Sequence, residues 1–176
     1  MTTSRQFISR LLQERDHFET LLNHVGFSRR MTLTGVSGKW SIKDILAHIL
    51  AYEQFIADRL HEILHDEVYS PAKTQAALDH FLAEFGYPDF GSMLDDRDKQ
   101  DAWVVDKYHN VPLEDIVAQE LQAFASIVAG LEKLPPHLIQ QHNLFDRVAN
   151  YTYRHYQEHI GEIRLWLKKN AFNSKL

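Results

Sequence analysis

Apolar residues recur at helical spacing in four long stretches of the chain, and no stretch alternates in the manner of a half-buried strand. The first runs from about Ser4 to Val25, with Phe7, Ile8, Leu11, Leu12, Phe18, Leu21, Leu22 and Val25 on one stripe. Gly26 and then the region between Gly35 and Gly38 break it. The second opens at "SIKD", where Ser41 is placed to cap and Asp44 to close a capping box from the first turn. Its stripe is Ile42, Ile45, Ile49, Tyr52, Ile56, Leu60 and Ile63, and the pattern ends near Glu67, ahead of Pro71. The third starts around Pro112, a residue tolerated in a first turn, and carries Leu113, Ile116, Val117, Phe124, Val128 and Leu131 up to Pro135–Pro136. The fourth runs from about Asp146 to Lys169, with Val148, Tyr151, Ile163 and Trp166 inward. Lys168 and Lys169 close it, where the helix dipole favours cations.

Between the second and third helices lies a long stretch, Tyr69 to Asn110. The pattern predicts a shorter helix at about Ala72–Phe85, a break at "FGYPDFGSM" and a solvated "DDRDKQD". Such a connection suits a crossover between bundle helices, and long loops often carry function. Repeats and linkers are absent from the sequence. The expectation is one all-α domain over residues 1–176, a four-helix bundle with a long crossover between helices two and three.

Composition narrows the function classes. A hydrophobic share of 44% with mean hydropathy −0.36 fits a soluble globular chain, and no apolar run approaches the ~20 residues of a membrane span. The first residues lack the continuous apolar core of a signal peptide. With a net charge of −5 there is no basic footprint for nucleic acid. Zero cysteines exclude disulfides, thiolate ligands and a cysteine nucleophile. The expectation is a cytoplasmic enzyme or binding protein that takes a small molecule and neither nucleic acid nor membrane.

The chemistry worth following lies in the histidines, 11 in 176 residues. His155 and His159 share one helical face, one turn apart, the simplest way for a helix to offer two ligands to one ion. Composition alone predicts roughly 0.7 such spacings, so a third ligand is needed before the pair means anything. On the second helix His48 edges the buried stripe, whereas His61 and His65 fall on the opposite face. That second pair spells "HEILH", a match to the metalloprotease motif, for which His80 or Glu84 could be nominated as third ligand. The match is set aside because the pair points to solvent and no strand is available to hold a peptide. His48, His155 and His159 form the better set. Imidazoles in a core need partners, and a divalent ion shared between facing helices supplies one. Three imidazoles leave a position open for water or substrate, the catalytic rather than the structural pattern. The alternative is a set of hydrogen-bonded core histidines. Imidazole suits zinc, nickel, iron and copper alike, so the residues do not choose the ion.

Weaker candidates surround this set. Glu120 falls within the third helix's apolar stripe, where a carboxylate needs a partner or a raised pKa. Glu162 lies within a turn of His159. Either carboxylate can orient a ligating histidine or act as a base, and the alternative is an edge residue or a buried pairing with an arginine. Tyr52, one turn beyond His48, can place a hydroxyl at a pocket. Trp103 and Tyr108 in the crossover are candidates for a pocket mouth.

"GKWSIKDILAHILAYE", followed far downstream by "HYQEHIGEIRLWL", resembles the DinB-like superfamily, most nearly its ClbS/DfsB-like four-helix branch. Trp40, Ser41, Lys43, Asp44 and His48 match that family's second helix, and His155, Tyr156, His159, Ile163 and Trp166 its fourth. The stretch from Pro112 to Pro135 is similar, in a generic way, to its third helix, and only about Tyr69–Asn110 lies outside the resemblance. The resemblance implies a divalent metal, zinc or nickel, on His48, His155 and His159, and a homodimer. It implies thiol-dependent transferase or isomerase chemistry with a low-molecular-weight thiol, or hydrolysis of a small electrophile. The ClbS-like branch includes resistance proteins that hydrolyse an electrophilic cyclopropane, some without these histidines, and this chain departs from those by keeping all three. The competing expectations are a non-catalytic binding or resistance protein and a structural homodimer.

Overall fold

The protein is described here by a computed structural model that covers residues 3–26 and 29–170. All regular structure among these residues is helical, apart from one isolated bridge between Ser37 and Trp40. The helices are α1 (Ser4–Val25), α2 (Ile42–Leu64), α3 (Gln75–Phe85), α4 (Arg97–Tyr108), α5 (Leu113–Lys133), α6 (Pro136–Gln141), α7 (Leu144–Tyr151) and α8 (Tyr153–Lys169). None of them is long and apolar enough to cross a membrane.

Local chemistry explains where the long helices begin. Ser41 Oγ accepts from Asp44 N, and Asp44 returns a carboxylate oxygen to Ser41 N at 2.8 Å, the box expected from "SIKD". Thr3 and Gln6 close an equivalent box on α1. The apolar stripes then meet. α2 packs most heavily on α5 and α1 on α8, with further contacts between α1 and α5 and between α2 and α8. Gly130 lets α5 come close to α2, since a Cβ there would stand 3.2 Å from Leu60 Cβ. Leu11, Phe18, Ile45, Ile49, Ile56, Ile116, Ile127, Leu131 and Ile163 are among the core residues.

One polar side chain from each of α1, α2, α5 and α8 is also buried in this core. Arg15 makes a two-pronged ion pair with Glu120 and lies 3.8 Å from Glu53. Tyr156 donates to Glu53 and receives an Arg15 nitrogen at 3.3 Å. Burial, with the Glu120 charge beside it, holds the Glu53 carboxyl well above the usual carboxylate range. Glu53 Oε2 has no hydrogen-bond partner.

Several elements differ from the sequence expectation. The stretch expected as one helix from Asp146 to Lys169 is divided at Thr152, whose φ of −127° and ψ of −106° leave the helical region. The buried Thr152 hydroxyl donates to the Val148 carbonyl at 2.6 Å, a local bond that competes with the helical ladder and bends it. α4 occupies the segment read as solvated. It buries only Gln100, Val104 and Tyr108, a single row at four-residue spacing, and Asp96 caps its start by accepting from Lys99 N at 2.8 Å. The shorter helix begins at Gln75 rather than Ala72, because Thr74 is its cap. α2 stops at Leu64, short of Glu67, and Asp66 then takes a positive φ.

Candidate metal centre

The Thr152 break restarts the helix one turn ahead of His155, so α8 presents His155 and His159 together toward α2. His48 meets them there. Its Nε2 lies 2.8 Å from His155 Nε2, which in turn lies 3.1 Å from His159 Nε2. One ligand atom from each histidine falls within 4.8 Å of the others, and all three residues are buried. Three buried histidines therefore lie close enough to hold a metal ion, and no other such group occurs among the described residues.

The surroundings bear on which nitrogens carry protons. His159 Nδ1 is 2.7 Å from Glu162 Oε2, and Glu162 Oε1 accepts from Ser37 Oγ at 2.7 Å. His48 Nδ1 is 3.1 Å from Asp101 Oδ1, although the pair is not aligned as a hydrogen bond. A carboxylate facing Nδ1 favours a proton on that nitrogen, which leaves the lone pair on Nε2. His159 Nε2 is thereby favoured as a lone-pair donor by its hydrogen-bonded carboxylate, and the Asp101 charge biases His48 in the same direction. A proton on His155 Nε2 would be shared between both, and in either tautomer the buried His155 Nδ1 has no partner. A cation among the three Nε2 atoms takes all three lone pairs. The donor set, neutral imidazoles with carboxylates behind two of them, fits a divalent metal.

Electrostatics favour the neutral ligands this requires. Burial, followed by the His48 and His159 charges, pulls His155 down to about 2. Burial also lowers His159, against the opposing pull of Glu162. Tyr52 is pushed up to about 12 by burial and by Asp101.

The site opens onto a cavity of about 460 Å³ whose wall includes Trp40, Arg97, Asp98, Asp101 and Glu158. Trp40 stands over His48, with ring centroids 5.1 Å apart. Among the weaker candidates, Glu162 and Tyr52 are at the site, and the Tyr52 ring lies 4.8 Å from that of His48 and 4.9 Å from that of His155. Glu120 is engaged by Arg15 in the core and does not line the cavity. Trp103 and Tyr108 lie against Lys107 and do not line it either. His61 and His65 are exposed, and the Glu62 between them is held by Arg59 at 2.6 Å. His80 and Glu84 pair with each other on the surface.

Arg97, Asp101 and Glu53 were not singled out from the sequence. For the first two the one signal is an aspartate cap followed by Gln100, Val104 and Tyr108 at helical spacing, a row too narrow to mark a helix among charged neighbours. Glu53 sits beside Tyr52 on a helix with apolar residues most of the way round, and nothing in its spacing distinguishes it. No family model, curated protein or solved structure matches the chain.

Proposed function

We propose that the chain is a divalent-metal-binding enzyme of DinB-like type, built as a four-helix bundle with a crossover between its second and third long helices. His48, His155 and His159 hold the ion, zinc or nickel, and the substrate is a small electrophilic molecule. The observation that carries this reading is the convergence of three buried Nε2 atoms with carboxylates facing two of the rings. Bound there, a divalent ion supplies Lewis acidity toward a thiol or a water molecule.

The chain's own residues do the rest. Glu162 orients the His159 ring through its hydrogen bond to Nδ1, and Asp101 places a carboxylate 3.1 Å from His48 Nδ1. Trp40 and Tyr52 shield the imidazoles from two sides. The chain has no cysteine, so in a transferase reaction the thiol is a low-molecular-weight cofactor; hydrolysis is the other branch of the same reading. The cavity over the histidines favours a reacting site over a purely structural tie, since structural sites close all positions with protein ligands. The homodimer belongs to the same proposal through the resemblance.

The test is the metal content of tag-free protein purified without chelator, beside a His155→Ala/His159→Ala double variant. The expected result is about one equivalent of metal in the wild type and none in the folded variant. Wild-type protein that stays metal-free after reconstitution with zinc and with nickel would overturn the reading.

A further inference from the structure

Arg97, at the start of α4, is the side chain shared by two cavities. One is the cavity over the histidines. The other, of about 420 Å³, is bounded by Tyr52, Phe90, Asp95, Gln100 and Tyr151. Arg97 Nε donates to the Tyr52 hydroxyl at 3.1 Å. Among the described residues its two terminal nitrogens make no hydrogen bond and no ion pair. The Tyr52 hydroxyl accepts from Arg97, and its own proton has no acceptor among these residues. Arg97 thus lines both cavities with two guanidinium nitrogens, and Tyr52 one of them with a hydroxyl proton, that no hydrogen bond among the described residues uses, while the Asp101 and Glu158 charges act on the guanidinium from nearby.

We propose that the small molecule handled at the histidines carries a carboxylate, and that Arg97 together with Tyr52 binds it. The proposal rests on the metal-site reading above and names the class of ligand that site takes. A guanidinium edge matches the two oxygens of a planar carboxylate. Asp95 lines the same cavity and Asp98, Asp101 and Glu158 the adjoining one, so each added negative charge on a ligand is opposed, which favours a singly charged carboxylate over a phosphate dianion. The Phe90 ring stacks on Tyr52 with centroids 3.9 Å apart, and Tyr151 stands 5.8 Å from Tyr52, so the body of the ligand has aromatic walls. The Tyr52 ring also lies 4.8 Å from that of His48 and 4.9 Å from that of His155, so a carboxylate held by Arg97 and the Tyr52 hydroxyl sits between the aromatic-walled cavity and the one over the histidines.

The probe is benzoate, with benzamide as its neutral isostere and inorganic phosphate as the competing anion. Each is titrated calorimetrically into the full chain, and the metal content of each sample is measured alongside. Wild-type protein is expected to bind benzoate in preference to benzamide and phosphate. Arg97→Gln, a change at an exposed side chain, is expected to weaken benzoate by about tenfold or more, as for loss of a charge-assisted contact. Tyr52→Phe, which keeps the ring, is expected to weaken it by about threefold to tenfold. Metal content is expected to be unchanged in both variants. Equal benzoate affinity in wild type and Arg97→Gln would overturn the proposal, as would phosphate binding more tightly than benzoate. Metal-loaded protein that binds no benzoate removes the carboxylate assignment and leaves the metal reading standing. Metal-free wild type that binds benzoate through Arg97 removes the metal reading and leaves the carboxylate subsite.

Discussion

Arg15 is the residue on which the buried polar cluster turns. Two carboxylates and a phenol surround one guanidinium in a core built mainly from aliphatic and aromatic side chains. Burial works against its charge, but the hydrogen bond and charge of Glu120 outweigh that and raise its pKa. Removing one member of such a pair leaves an uncompensated charge in the core, so Arg15→Ala is expected to cost about 3–5 kcal/mol, read from urea unfolding. Glu53 carries a second consequence. Its pKa in the folded protein is raised above the ordinary value of 4.5, so the folded state holds a proton that the unfolded state releases. The stability linked to that proton is fully present below about pH 4.5 and is lost as pH rises through the folded pKa. Glu53→Gln is expected to flatten this falling limb in urea midpoints measured across that range. An unchanged slope in the variant would mean that the proton resides elsewhere.

At the scale of the element, the long helices were legible because their buried faces are wide. Ile42, Ile45, Ile49, Ile56 and Leu60 define α2 with little ambiguity, and the capping box marks its first residue. α4 was not legible in the same way, since a single row of three buried residues among charged neighbours looks like a solvated loop. The division between α7 and α8 was hidden for another reason. Threonine sits inside many helices, and the burial of Thr152 with its hydroxyl on the Val148 carbonyl, a bond that bends a helix, is not visible in any spacing. The approach of the three imidazoles to one another was legible, because it follows from spacing on two helices, whereas Asp101 beside them depends on a helix the pattern did not reveal. Asp101→Asn is therefore expected to weaken metal binding by about 10–100-fold, measured by chelator competition, with helical content unchanged. Retention of full affinity would show that His48 is oriented without α4.

At the scale of the molecule, the three histidines join α2 to α8, two helices that also share the buried cluster through Glu53 and Tyr156. An ion that binds only the folded chain stabilises it by about 2.7 kcal/mol at a hundredfold excess over its Kd. Chelation is accordingly expected to lower the melting temperature of metal-loaded wild type and to leave the His155→Ala/His159→Ala variant where it is. Equal shifts in both would place the chelator's effect outside the histidines.

The narrow seat of α4 reaches into every such measurement. Asp101 and Arg97 stand on a helix that packs chiefly on α2 through one row of side chains, whereas the histidines stand on helices sunk in the core. A helix with so few buried contacts opens at lower free energy than the body of the fold. The complete site exists only in the fraction of molecules with α4 docked, and an apparent Kd is the intrinsic value divided by that fraction. Any metal affinity measured at the histidines is thus expected to carry the docking equilibrium of α4 within it. A ligand that engages Asp101 or Arg97 draws that equilibrium toward the docked form, and slower amide exchange along residues 97–108 on loading is its signature.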